Sequence, residues 1–201
     1  MNESPASGKK RRRSPNRQAT RDLLSQGGDL AAVLFLTVLL GTAQSRAQGN
    51  VVDARSHYDA GIQAFNSGDL DRARKEFQAA LKIKPDLVEA RQNLAVTLAR
   101  QGEYDAAEAE LRQVVTLRPR SAEAHYDLGL VLLSKAEETS ALQQFRQAVE
   151  INPGYAEARN NLGLLLERKE DFAGARAEFR EAVRLQPEFA EAHNNLGHLL
   201  L

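Results

Sequence analysis

Residues 156–189 read AEARNNLGLLLERKEDFAGARAEFREAVRLQPEF, and the same pattern returns when the chain is shifted by 34 residues in either direction. Pro85, Pro119, Pro153 and Pro187 mark the period most sharply. With Ala156 as position 1, position 7 is Ala60, Leu94, Leu128, Leu162 and Leu196, and position 8 is Gly61, Ala95, Gly129, Gly163 and Gly197. Position 20 is Ala73, Ala107, Ala141 and Ala175; position 24 is Phe77, Leu111, Phe145 and Phe179; position 27 is Ala80, Val114, Ala148 and Ala182. Self-similarity at a fixed period of this size marks an array of stacked supersecondary units.

Within one unit the apolar residues recur at helical spacing. Leu162, Leu165 and Leu166 define a first helix, A, and Phe172, Ala175, Phe179, Ala182 and Val183 a second, B. Small residues at positions 8 and 20 let the two backbones approach, and large ones at 7, 11 and 24 fill the space around the crossing. Proline at position 32 ends helix B, because it lacks an N–H and disfavours helix at the residue before it. A single hairpin of this kind cannot bury both faces, so the units stack into a solenoid.

The columns resemble the tetratricopeptide repeat family, whose pattern is W-x2-L-G-x2-Y, then A-x3-F, then P over 34 residues. The resemblance spans residues 54–201: repeats at 54–87, 88–121, 122–155 and 156–189, and an incomplete fifth at 190–201. The fold class it implies is all-α, a right-handed superhelical solenoid of helix-turn-helix repeats. At position 4 the family's Trp is replaced by His57, Arg91, His125, Arg159 and His193, and the regular placement of the histidines predicts a packing role. Gly68 and Gly102 fall between helices, and Asp71 and Asp105 at the start of helix B, where an acid suits the helix dipole and caps free N–H groups. Repeat 3 departs from this: it has no glycine in the turn, and Glu138 stands where the other repeats have Leu70, Tyr104 and Phe172. The sequence therefore predicts a loose turn there, with an apolar notch beside Glu138.

The chain has no net charge, but residues 1–47 hold eight Lys/Arg against three Asp/Glu, leaving 19 basic and 24 acidic residues beyond them. Lys9 to Arg13 and Arg17 form a basic n-region, residues 30–43 an uncharged apolar run, and Ser45-Arg46-Ala47 a small-residue cleavage site after Ala47. That is the layout of a secretory signal peptide over residues 1–47, followed by a linker at 48–53. A stable span needs about 20 apolar residues, so the alternative, an uncleaved signal anchor, is the only membrane attachment predicted. The expected location is outside the cytoplasm: the periplasm or cell envelope, if the source is bacterial. A basic patch for nuclear import or nucleic acid fits less well beside an apolar run, and no basic stripe or aromatic platform appears beyond residue 48, so nucleic acid is not an expected partner.

Cysteine is absent, which excludes thiolate zinc sites, covalent haem attachment and a cysteine nucleophile. No H-E-x-x-H, G-x-S-x-G or phosphate-loop pattern occurs, and no cofactor, metal or catalytic residue is predicted. The acid pair Glu137–Glu138 reads as a solvated turn.

What the resemblance implies instead is a concave groove lined by the A helices at positions 2, 5, 6, 9, 12 and 13. Its apolar floor would be Ile62, Val96, Leu130 and Leu164 with Phe65 and Leu133. Beside it would run a polar ladder of Tyr58, Gln92, Tyr126, Asn160 and Asn194, and of Asn93, Asn161 and Asn195, interrupted by Asp59 and Asp127. Glu89, Glu123, Glu157 and Glu191 would form an acidic rim. An Asn side chain offers a donor and an acceptor to a peptide backbone, and the ladder is similar in part to that of O-linked N-acetylglucosamine transferase. Alternatively, positions 9 and 12 pack on neighbouring helices and the amides are solvated.

Three functions follow. The first is an exported, non-enzymatic scaffold that binds protein or peptide segments in the groove. The second is the N-terminal portion of a larger exported enzyme or assembly factor. The third is a structural module that self-associates through its C-terminal end, where Leu196, Leu199 and Leu200 have no following helix B to cover them and the sequence reads as a fragment.

Overall fold

The computed structural model describes residues 53–199. The signal segment, Ala47, the linker up to residue 52 and Leu200 lie outside them. Among the described residues there are nine helices and no strand. The A helices are α1 (residues 53–66), α3 (Val88–Arg100), α5 (Ala122–Ser134), α7 (Ala156–Arg168) and α9 (Ala190–His198). The B helices are α2 (Leu70–Ile83), α4 (Tyr104–Leu117), α6 (Glu138–Ile151) and α8 (Phe172–Leu185). Every helix from α2 on packs on its neighbour in the chain, and A helices also touch A helices of the adjacent repeat, α3 on α5 and α7 on α9.

The turns explain the regularity. The first four A helices each end in a Schellman motif, closed by Asp69 N–H to Ala64 O, Glu103 to Leu98, Glu137 to Leu132 and Asp171 to Leu166, each at 2.9 Å. The left-handed residue is Gly68 (φ 82°), Gly102 (φ 81°), Ala136 (φ 60°) and Glu170 (φ 64°). Repeat 3 thus makes the same turn without glycine, and the loose turn expected there is not found. Lys135 clamps it further, with Nζ at 2.8 Å from Asp105 and 3.1 Å from Glu137, and a third bond to Glu108. That lysine holds the Glu108 carboxyl below the usual range.

Two other local expectations change. The helix B caps in repeats 1 and 4 are Asp69, which accepts from Arg72 N–H at 3.0 Å, and Asp171, which accepts from Gly174 N–H at 2.9 Å. Asp71 and Asp105 sit one position inside the helix, in its first turn. The site of Glu138 is no apolar notch either. Its counterparts Tyr104 and Phe172 are 37% and 54% exposed, and Glu138 pairs with Arg168 at 2.8 Å.

Helix B stops where proline demands it. Lys84, Arg118, Asn152 and Gln186, each just before a proline, leave the helix with φ between −127° and −134°. Positions 20, 24 and 27 are all fully buried: 20 and 24 belong to the main core, while at 27 Val114 packs with Val88 and Ala124, and Ala182 with Ala156 and Ala192, at the seam with the next repeat. A Cβ built on Gly61, Gly129 or Gly163 would lie 2.6 Å from the ring of Phe77, Phe145 or Phe179. Repeat 2 has Ala95 there and the smaller Leu111 opposite, both buried.

Position 4 packs by hydrogen bonding. His57 Nδ1 meets Glu76 at 2.7 Å, Arg91 donates to Glu110, His125 Nδ1 meets the Gln144 Oε1 at 2.8 Å, and Arg159 donates to Glu178 at 2.7 Å. From repeat 2 on, position 4 also reaches back to the proline carbonyl of the preceding repeat: Arg91 to Pro85 (2.8 Å), His125 to Pro119 (3.2 Å), Arg159 to Pro153 (2.8 Å) and His193 to Pro187 (2.9 Å). One polar residue therefore ties helix A to its own helix B and to the previous turn.

Candidate functional site

The A helices carry positions 5 and 6 side by side, and the two columns bond to each other across the repeats. Asn93 Nδ2 donates to the Tyr58 hydroxyl at 3.3 Å, Gln92 Nε2 to Asp127 Oδ2 at 2.8 Å, Asn161 Nδ2 to the Tyr126 hydroxyl at 3.2 Å, and Asn195 Nδ2 to Asn160 Oδ1 at 2.9 Å. Each link joins position 5 of one repeat to position 6 of the next. Asn93 and Asn161 use the other amide hydrogen on the Glu89 and Glu157 carbonyls, one turn back. What these two residues offer a ligand is therefore their Oδ1, since both donor hydrogens are already engaged. Asn160 is buried and Asn194 exposed.

The expected floor residues Ile62, Phe65, Leu130, Leu133 and Leu164 are half-buried and rest on the main core cluster. Two cavities open along this row. The larger, about 540 Å³, is lined by Tyr126, Leu130, Asn160, Asn161, Leu164 and Asn195, with Glu157, Glu191 and Phe189 at its edge. The second, about 270 Å³, lies between α3 and α5 and is walled by Val96, Ala99, Leu130, Val131 and Tyr104, with Asp127, Arg100 and Ser134 as its polar members. Leu130 belongs to both.

The rim is less uniform than the sequence implies. Glu89 bonds Arg118 at 2.6 Å, which holds its carboxyl below the usual range. Glu123, Glu157 and Glu191 have no ion pair among the described residues. The same holds for Asp127, whose carboxyl burial pushes up to about 6, against the opposing bond from Gln92 and helped by the nearby Glu123. Burial raises the Tyr126 hydroxyl as well, and the Tyr126 and Tyr155 rings pack with centroids 4.8 Å apart and planes tilted by 40°.

Sequence reasoning passed over several residues of these cavities, Asp127, Phe189 and Tyr104 among them. Asp127 counted only as a break in the amide ladder, yet it is the acid of the smaller cavity. Its signal was an acid at a position that holds Asn in repeats 2, 4 and 5. Phe189 and Tyr104 gave no signal, because they belong to the turn before α9 and to the first residue of α4. Among the described residues no cluster of His, Cys, Asp or Glu is arranged to hold a metal, and no helix is long and apolar enough to cross a membrane.

These features define a solenoid of helical hairpins with its bonding groups along the A helices, the architecture of an interaction scaffold. The chain belongs to the tetratricopeptide repeat family: the family model matches at residues 58–111, 92–156, 139–188 and 160–201. Comparison with curated protein sequences gave no match. Among solved structures it is similar to MamA of Desulfovibrio magneticus RS-1, with 26% identity over 87% of this chain and 94% of that one and a TM-score of 0.64. It shares its fold with YrrB, described as a protein of these repeats with an unusual peptide-binding site, at 22% identity over 78% of this chain and 80% of that one and a TM-score of 0.64. The O-GlcNAc transferase of Thermobaculum terrenum is similar at 26% identity, with a TM-score of 0.62, over 67% of this chain but only 26% of that one.

Proposed function

We propose that this protein is an exported, non-catalytic scaffold that holds a segment of another protein along its A helices. The observation that carries the reading is the pair of cavities joined at Leu130, set beside a polar ladder whose remaining acceptors face a ligand. Leu130 and Leu164 supply apolar contact for anchor side chains, which carry most of the energy in such interfaces. Glu123, Glu157 and Glu191, without an ion pair among the described residues, favour basic residues beside those anchors, acting mainly on association rate and salt dependence. A photo-crosslinking residue at Leu164 should capture one discrete partner in the envelope, while the same residue at Gln143, exposed on α6, should not. Equal capture at the two positions overturns the groove. Export is tested separately: the mature chain should begin at Gln48, and an intact Met1 terminus on a cytoplasmic protein would remove that half of the proposal.

A second reading is favoured by the transferase, an enzyme of whose chain the match covers about a quarter. The coding sequence downstream of Leu201 distinguishes the two readings at once.

A further inference from the structure

The smaller cavity has a composition unlike the rest of the groove. Its walls are aliphatic and aromatic side chains of α3, α4 and α5, and a single carboxylate, Asp127, stands among them. The charged and titratable groups around that carboxylate can be named from each helix. From its own α5 come Glu123 and Tyr126; from the turn before α7 comes Tyr155; from α3 come Gln92, which donates to one carboxylate oxygen, and Arg100. Arg100 is the one cation on the wall, and its guanidinium is committed elsewhere, 4.3 Å from the centre of the Phe65 ring. Asp127 is therefore a largely enclosed acid with neighbours of its own sign and no ion pair among the described residues. A carboxylate in such a place is costly unless a cation joins it.

We infer that this cavity receives a lysine-like side chain of the bound segment, its aliphatic stem against Val96, Ala99, Leu130 and Val131 and its ammonium on the free oxygen of Asp127. A cavity of about 270 Å³ has room for a four-carbon stem with its ammonium. Long cationic side chains bury their stems along apolar surface and keep the charge on a polar partner. The inference rests on the groove reading and sharpens it. Leu130 lines both cavities, so the segment would place one cationic side chain on the Asp127 side of it and one apolar anchor on the Leu164 side. Neighbouring helix axes lie about 8–10 Å apart, and extended chain rises about 3.3 Å per residue, which puts the two anchors roughly three residues apart in an extended segment.

The test uses n-pentylamine, which copies the lysine stem and ammonium, against n-pentanol of the same length. Both are titrated into the full chain at pH 7.5 and followed by the backbone amide resonances of Val96, Leu130 and Ser134. The expected result is a shift at all three residues that saturates at roughly tenfold lower concentration for the amine. Asp127→Asn should bring amine and alcohol within twofold of each other, with its own spectrum showing the fold retained. Leu164→Ala should leave the amine preference intact. The proposal is overturned if neither compound shifts these residues, if the two bind equally to the natural chain, or if the preference survives in Asp127→Asn. Failure of the groove itself looks different: crosslinking at Leu164 then captures nothing, whatever pentylamine does.

Discussion

The ring of Phe145 occupies the space that a Cβ on Gly129 would need, with Cε1 2.6 Å from the ideal Cβ position. The same relation holds between Gly61 and Phe77 and between Gly163 and Phe179. Because Phe145 is fully buried, its ring has no room to swing aside. Gly129→Ala should therefore destabilise the chain by about 1–3 kcal/mol, the usual range for overpacking a core. Repeat 2 provides the control, since Ala95 already has a Cβ and faces Leu111. Leu111→Phe alone should cost a similar amount, and Ala95→Gly combined with Leu111→Phe should recover much of it. Denaturant melts of the natural chain, Ala95→Gly, Leu111→Phe and the pair form a double-mutant cycle, and additive costs would contradict the pairing.

The four A-to-B turns make the same bonds but differ in the residue held at positive φ. Ala136 and Glu170 carry a side chain in a conformation that costs an L-residue about 1–2 kcal/mol, partly offset because glycine would loosen the unfolded chain. Ala136→Gly and Glu170→Gly should each stabilise by about 0.5–1 kcal/mol. Gly102→Ala, with nothing within 4 Å of its added Cβ, should destabilise through φ alone. Thermal melts that rank the three substitutions otherwise would show that the turn is relaxed in some other way.

Glu138 gives a prediction opposite to the one its column invites. The other repeats have Leu70, Tyr104 and Phe172 at this place, so filling it with an aromatic ring looks favourable from sequence. In the fold it opens helix B, partly exposed, and reaches Arg168 in the next repeat. Glu138→Tyr exchanges one exposed ion pair for one exposed ring, and stability should stay within about 0.5 kcal/mol of the natural chain. A gain well above that in urea melts would mean the ring finds a buried site.

The parts of this protein that were readable from sequence are those in which one physical requirement repeats every 34 residues. The small residues at positions 8 and 20, the large apolar residue at 24 and the proline at 32 each answer to the same crossing or the same stop, so their columns announce themselves. Position 4 was legible as a place and not as a mechanism: His57, Arg91, His125 and Arg159 share no charge state, and what unites them is a bond to position 23. The turn of repeat 3 misled for a related reason. Its stability comes from Lys135 and carboxylates of two repeats, a contact between residues 27 and 30 positions apart that no single column records. The polar ladder was visible as a row of Asn, Gln, Tyr and Asp, but its bonds run diagonally, from position 5 to position 6 of the next repeat, and only the fold shows which amide hydrogens are already used.

Asp127 links that ladder to the stability of the array. Burial lifts its carboxyl to about 6, above the usual value for an aspartate. A raised carboxyl means that the folded chain binds a proton more readily than the unfolded chain between roughly pH 4 and pH 6, so this group makes stability rise as pH falls through that window. Above pH 6 the folded chain carries the full cost of the buried carboxylate. Asp127→Asn removes the charge while its side-chain oxygen can still accept from Gln92, so it should stabilise the free protein at pH 7.5 by on the order of 1 kcal/mol. The difference should shrink as the pH is lowered and vanish near pH 4, where the natural residue is protonated in the folded state. Urea melts of both proteins at pH 4, 5, 6 and 7.5 measure it. A difference that does not change with pH would assign the effect to packing, and a destabilising Asn at pH 7.5 would mean that the carboxylate is held by a cation after all.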